Sequence, residues 1–97
     1  MVRVVIERRA KEGKEGELMG LLLDLRTQGI RQSGYVSGET LVGYDDPSLY
    51  VVISTWRSAE FWQAWASNPE RQKMAAKAER LLSAPTKTTV LKLLEEH

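Results

Sequence analysis

Alternation opens the chain. Val2, Val4 and Ile6 recur at every second position of Val2–Glu7, and β-branched side chains dominate, so this segment predicts a strand. Val5 lies on the opposite face, which suits a central strand better than an edge. Arg8 to Gly16 is a charged connection punctuated by glycines, read as a solvated turn. The period then changes. Leu18, Leu21, Leu22, Leu25 and Gly29 fall on one stripe, which predicts an amphipathic helix over about 14–32, with Gly34 as its stop.

The alternation returns in Tyr35–Tyr44, interrupted by glycine and polar residues as at a sheet edge. Asp45-Asp46-Pro47-Ser48 is a turn, and Leu49–Trp56 is a second strongly apolar strand, giving an antiparallel hairpin. Ser58 is a candidate N-cap for a short helix carrying Phe61, Trp62 and Trp65. Asn68-Pro69-Glu70 restarts the helix, with cap, first-position proline and acidic first turn in order. Met74, Ala75, Ala78, Leu81 and Leu82 extend its stripe to about Ser83, and Pro85 ends it. Thr86–Leu94 is the last strand. The order, counting the broken helix as one element, is β-α-β-β-α-β. This predicts an α+β, ferredoxin-like, four-stranded antiparallel sheet with the first and third strands central. Residues 1–97 then form one domain.

Helices in that topology cover one face of the sheet. The other face would carry Val5 and one alternating set of the third strand, either Leu49, Val51 and Ile53 or Tyr50, Val52 and Ser54. Either set is apolar, and a second copy packed on it would bury it, so a homodimer is expected. The small size of the chain, 97 residues, points the same way, because a small domain buries less of its surface.

Charge narrows the function. A net charge of +1 lacks the basic excess of dedicated nucleic-acid or membrane-surface proteins. Acidic residues are interleaved with Arg8, Arg9, Lys11 and Lys14, so that cluster reads as solvated rather than as a phosphate site. The first strand has no aromatic residue and the third offers only Tyr50 along its length before Trp56, unlike an RNA-binding sheet. With no cysteine there is no disulfide, thiolate metal site or cysteine nucleophile. The sole histidine is His97, so Ser54 and Thr55 lack a base, and no carboxylate–histidine set has metal-ligand spacing. No signal peptide and no apolar run of membrane-spanning length is visible, so a cytoplasmic protein is expected.

Several segments carry a resemblance. Gly13-Lys14 leads into the leucine helix, Asp46-Pro47 forms the hairpin turn, and Trp56 closes the third strand. Trp56-Arg-Ser-Ala-Glu-Phe-Trp-Gln-Ala-Trp65 is then followed by Ser67-Asn68-Pro69. In this order and spacing the chain resembles the antibiotic-biosynthesis-monooxygenase (ABM) family of dimeric α+β barrels over nearly its whole length. The resemblance implies one of three functions. One is a cofactor-independent monooxygenase that oxidises a small aromatic, phenolic or quinol substrate with no metal or flavin. The second is a haem-degrading enzyme. The third is a non-catalytic dimeric ligand-binding or structural domain. The haem-degrading branch uses an Asn on the first strand and a His ten residues after a helical Trp. Here the first strand has no Asn, and the residue ten after Trp65 is Ala75, which cannot ligate iron.

For the monooxygenase reading, the chemistry needs a ring-binding pocket and a way to stabilise a phenolate. Pocket candidates are Trp65, which could stack and donate its indole N–H; Tyr50; Met74; and Arg71 and Arg26, which could offset the phenolate charge. Each also has a plain structural use, as core aromatic, core methionine or solvated arginine. Phe61 shares the Trp65 face, which leaves Trp62 offset, toward a dimer edge or solvent. Tyr35 and Tyr44 are further candidate proton donors, and Trp56 reads as structural. No residue is assigned a catalytic role.

Overall fold

The computed structural model describes residues 1–95, so His97 lies outside the described residues. The elements are β1 (Val2–Arg9), α1 (Glu15–Gly29), β2 (Tyr35–Val42), β3 (Leu49–Trp56), α2 (Ala59–Ala66), α3 (Pro69–Glu79) and β4 (Lys87–Lys92). The strands form one antiparallel sheet in the order β2-β3-β1-β4. The two most apolar strands are therefore the inner pair, as the alternation predicts. Leu18, Leu22 and Leu25 of α1, Trp62 and Trp65 of α2 and Ala78 of α3 pack with Val4, Ile6, Tyr50 and Trp56 of the sheet in one core. Among the described residues no helix is long and apolar enough to cross a membrane.

The register assigns the faces. Val4 pairs with Ser54, Ile6 with Val52 and Arg8 with Tyr50, and these residues all face the helices. The opposite face carries Val5, Glu7, Leu49, Val51 and Ile53, with Leu41 of β2 opposite Val51 and Leu91 of β4 opposite Arg3. Of the two sets that the alternation of β3 leaves open, the outward one is Leu49, Val51 and Ile53.

Several boundaries differ from expectation, each for a visible reason. β1 runs past Glu7 to Arg9, because Arg8 and Arg9 find partners in Tyr50 and Leu49. Arg8 is thus a strand residue and not part of a solvated turn. α3 stops at Glu79 instead of Ser83. Beyond it the backbone turns to the sheet: Lys11 N donates to Leu81 O at 2.8 Å, Ser83 N donates to Arg9 O at 2.9 Å, and Leu82 bridges Ala10. Leu81 and Leu82 still pack on the core, but from this connection. α1 ends at Gly29, and the following turn passes through Gly34 at φ +83°, a region that suits glycine. Gly34 O accepts from Arg57 N at 2.8 Å, and the Phe61 ring lies directly over Gly34, where a Cβ would come within 2.2 Å of it.

The broken helix is as read. Asn68 Oδ1 accepts from Glu70 N at 2.9 Å, with Pro69 at the first position. Ser58 occupies the N-cap of α2 in extended conformation but makes no side-chain cap bond. The face of α2 is a correction. Trp62 is buried at 7% exposure beside Trp65, while Phe61 is 39% exposed. The core takes the stripe at positions 62, 65 and 66, because Phe61 is drawn sideways onto Gly34.

Candidate functional site

Between the helices and the inner face of the sheet lies a cavity. Its volume is about 60 Å³, or about 540 Å³ with the open space around its mouth included. Four aromatic side chains, Tyr35, Trp56, Trp62 and Trp65, line it together with three arginines, Arg8, Arg26 and Arg71. Strand residues supply the floor, notably Ile6, Val52, Ser54 and Thr40, and α1 supplies Leu22, Leu25 and Gly29.

The aromatic side chains hold one another in place. Tyr35 meets Trp56 edge-on, with centroids 5.4 Å apart, and Trp56 meets Trp62 at 5.8 Å and a 59° tilt. The Trp56 indole N–H donates to Ser54 Oγ at 3.0 Å, which satisfies a buried donor and fixes the ring. The Trp65 indole N–H is different. It has no hydrogen-bond partner among the described residues, and it rests against Gly29, where a Cβ would stand 3.4 Å from Nε1. A glycine at that turn of α1 lets the indole edge come close to the helix. Gly38 does the same for Tyr35, whose hydroxyl lies where a Cβ would approach to 2.6 Å.

The arginines set the electrostatics. Arg8 projects from β1 on the side of Val4 and Ile6 and is only 4% exposed. Its Nε has no hydrogen-bond partner, and no carboxylate lies within ion-pair distance of Arg8, Arg26 or Arg71 among the described residues. The Arg8 pKa is lowered to about 10, chiefly by burial and then by the neighbouring charge of Arg71, with Glu79 acting in the other direction. Both remain cations at neutral pH. Arg71 is also lowered by burial, and its guanidinium carbon sits 4.9 Å from the Trp62 ring centroid, a cation–π contact. Glu79 is committed elsewhere: its carboxylate accepts from Thr86 N at 3.0 Å and Thr86 Oγ1 at 2.6 Å. The cavity therefore holds more positive charge than its own walls neutralise. Glu39 is the one carboxylate on its rim, and it is exposed.

Of the residues singled out from sequence, Trp65, Arg71 and Arg26 line this cavity. Tyr50 is buried in the core one pleat further along β3, next to Arg8, and Met74 is half-buried against the core; neither lines the cavity. Tyr35, a candidate proton donor, lines it as well, and so do Arg8, Trp56 and Trp62, which the sequence assigns to a solvated turn, a structural strand end and an offset helix position. Tyr44 is fully exposed at the hairpin. Among the described residues there is no group of three or more His, Asp or Glu side chains placed to hold a metal ion.

Comparison with known proteins agrees with this architecture. The family model described as antibiotic biosynthesis monooxygenase matches residues 1–77. No curated protein matches the chain. Among solved structures, a putative antibiotic biosynthesis monooxygenase from Nitrosomonas europaea is 17% identical, with a TM-score of 0.89 over 97% of this chain and 99% of that one. A protein of Mycobacterium tuberculosis is 23% identical, with a TM-score of 0.89 over 98% and 96%. SnoaB, a cofactor-independent oxygenase from Streptomyces nogalater, is 17% identical, with a TM-score of 0.84 over 98% and 95%. At these identities the structures speak for the fold, and the match over residues 1–77 of 97 speaks for the family. The chain belongs to the antibiotic biosynthesis monooxygenase (ABM) family.

Proposed function

We propose that this protein is a cofactor-independent monooxygenase acting on a small phenolic or quinol substrate in the cavity between helices and sheet. The observation that carries the reading is a ring-lined cavity whose lining includes three guanidinium groups with no carboxylate within ion-pair distance among the described residues. Aromatic walls suit a flat ring. Cations without carboxylate partners, one of them the buried Arg8, favour the phenolate over the phenol. A phenolate is electron-rich enough to give electrons to oxygen itself. For a phenol with a free para position, one oxygen atom of O2 enters the ring as the second quinone oxygen. The other leaves as water with the phenolic proton and the displaced ring proton. The substrate supplies all four electrons, so no external reductant is required. The Trp65 indole N–H, with no hydrogen-bond partner among the described residues, would donate to a substrate oxygen.

The outward face of the sheet supports a second part of the reading, that two copies associate. Val5, Leu41, Leu49, Val51, Ile53 and Leu91 share that face, and no helix covers it. Packing a second sheet there buries it.

The test is oxygen consumption by metal-free protein with a panel of phenols and dihydroxynaphthalenes, with quinone followed by absorbance. Turnover is expected with at least one ring that fits. Trp65→Phe, which keeps the ring and removes the donor, should lower kcat/KM roughly ten-fold, the value of one hydrogen bond in a desolvated site. No uptake above the uncatalysed rate across the panel would overturn the oxidation. The small volume of the cavity, about 60 Å³, favours one further reading, a non-catalytic domain whose cavity is largely filled by its own side chains and from which any bound ligand leaves unchanged. Mass spectrometry of ligand recovered from the protein separates the two.

A further inference from the structure

The cavity carries a charge that a neutral ring does not satisfy. Arg8 is buried and its Nε has no partner. Arg71 is close enough to repel it, and instead of a carboxylate Arg71 faces the Trp62 ring. The carboxylate nearest in effect, Glu79, is held by Thr86. A guanidinium is seldom left buried and unpaired, because desolvating it is costly. Arg71, half-buried over Trp62, lines the same cavity, and two guanidinium groups are the donors that suit a planar oxyanion. The rest of the wall is indole, phenol and aliphatic surface, so the anion belongs on an aromatic body. A bare inorganic ion would leave those walls unfilled.

From this we infer that the ligand of the cavity is an aromatic acid, with a ring-borne carboxylate held by Arg8 and Arg71 while the ring lies among Trp56, Trp62 and Trp65. The inference rests on the cavity being the substrate site, and it narrows the substrate class from phenols to phenolic acids. The carboxylate supplies a permanent negative charge that fixes which edge of the ring enters first. The remaining cation of the lining, Arg26, is exposed and would offset the phenolate from the rim.

Matched probes test this by binding alone. The wild-type protein is titrated at neutral pH and low salt with 2,5-dihydroxybenzoate and with hydroquinone, then with benzoate and with benzamide. Quenching of tryptophan fluorescence and calorimetry give the affinities, since three of the wall residues are tryptophans. Each carboxylate probe should bind roughly ten-fold or more tighter than its neutral partner. Arg8→Met should bring the ratio to within about two-fold of unity, as one charge-assisted pair is lost. Arg71→Gln provides the same reading if the first variant does not fold. Equal affinities of the paired probes, no binding of either acid at millimolar concentration, or a ratio unmoved in the folded variants would each overturn the inference. Inorganic phosphate that competes as tightly as benzoate would overturn it too, by showing a site for bare anions. Acid selectivity without oxygen uptake would leave this inference standing and remove the oxidation. Uptake with neutral phenols and no acid preference would do the reverse.

Discussion

Replacing Arg8 with Met should make the folded protein more stable. The side chain is buried, its Nε is unpaired, and its pKa is held near 10, well below its ordinary value. At about 1.4 kcal/mol for each tenfold change in proton affinity, that depression corresponds to roughly 3 kcal/mol against the charged form in the folded state. The sign follows from the direction. The folded pKa lies below the unfolded one, so at neutral pH the group is charged in both states. The penalty is then fully present and fades only as pH rises through about 10. Methionine keeps an apolar stem of similar length and removes the charge. It also gives up the weak attraction to Glu79 and leaves some of the guanidinium's volume empty. The expected net gain is therefore about 1–3 kcal/mol, or roughly 5–15 °C in Tm for a domain of this size. Urea unfolding at neutral pH measures it, followed by circular dichroism, with protein concentration fixed because self-association would shift the midpoint. In an Arg71→Gln background the gain should shrink, since part of the penalty is repulsion between the two guanidinium groups. A variant less stable than wild type by several degrees would refute the reasoning, for it would mean that Arg8 is compensated inside the fold and is not waiting for a ligand.

Two further substitutions follow from the geometry. Gly34→Ala should cost about 2–4 kcal/mol, because it combines a positive φ with a collision against Phe61, whereas Gly13→Ala, at φ +82° in open space, should cost about 1 kcal/mol; equal costs by urea denaturation would remove the Phe61 contact from the account. In sedimentation at micromolar concentration the wild type should run at twice the mass of the chain and Ile53→Lys at the single mass, and a monomeric wild type would show that the outward face of β3 is not an interface.

The scaffold was legible because its signals are local and redundant. Val2, Val4 and Ile6 mark a strand, Leu18, Leu22 and Leu25 a helix, Gly34 a turn and Asn68-Pro69 a restart, and each agrees with its neighbours. The site was less legible, for two physical reasons. α2 is eight residues long, so two turns offer two overlapping stripes, Phe61 with Trp65 or Trp62 with Trp65 and Ala66. Only the packing of Phe61 on Gly34, between segments 27 residues apart, decides between them. Arg8 stands in a run of charges, and charge normally means solvent. Yet the signal was present: the alternation that puts Val4 and Ile6 inside continues without a break onto Arg8, provided the strand does not end at Glu7. A charged residue that falls in phase with a buried stripe is therefore worth reading as buried first and explained second.

That phase argument also accounts for why the site sits where it does. A β-strand can turn a side chain away from the core only by ending or bulging. β1 does neither at Arg8, because Tyr50 pairs with it on β3 and Ser48 O, one residue before β3, accepts from Ala10 N at 2.9 Å. The guanidinium is thus carried inside by the hydrogen-bond ladder whatever its solvation preference. Arg71 reaches the same place by a different route, from a helix whose start is fixed by the Asn68 cap, with its guanidinium over Trp62. Two independent backbone constraints place like charges together where water is scarce. Neither constraint relieves the repulsion, so the fold tolerates it at a cost in stability. An anion of the class inferred above would offset that cost, and the same term that weakens the empty domain would then contribute to its affinity.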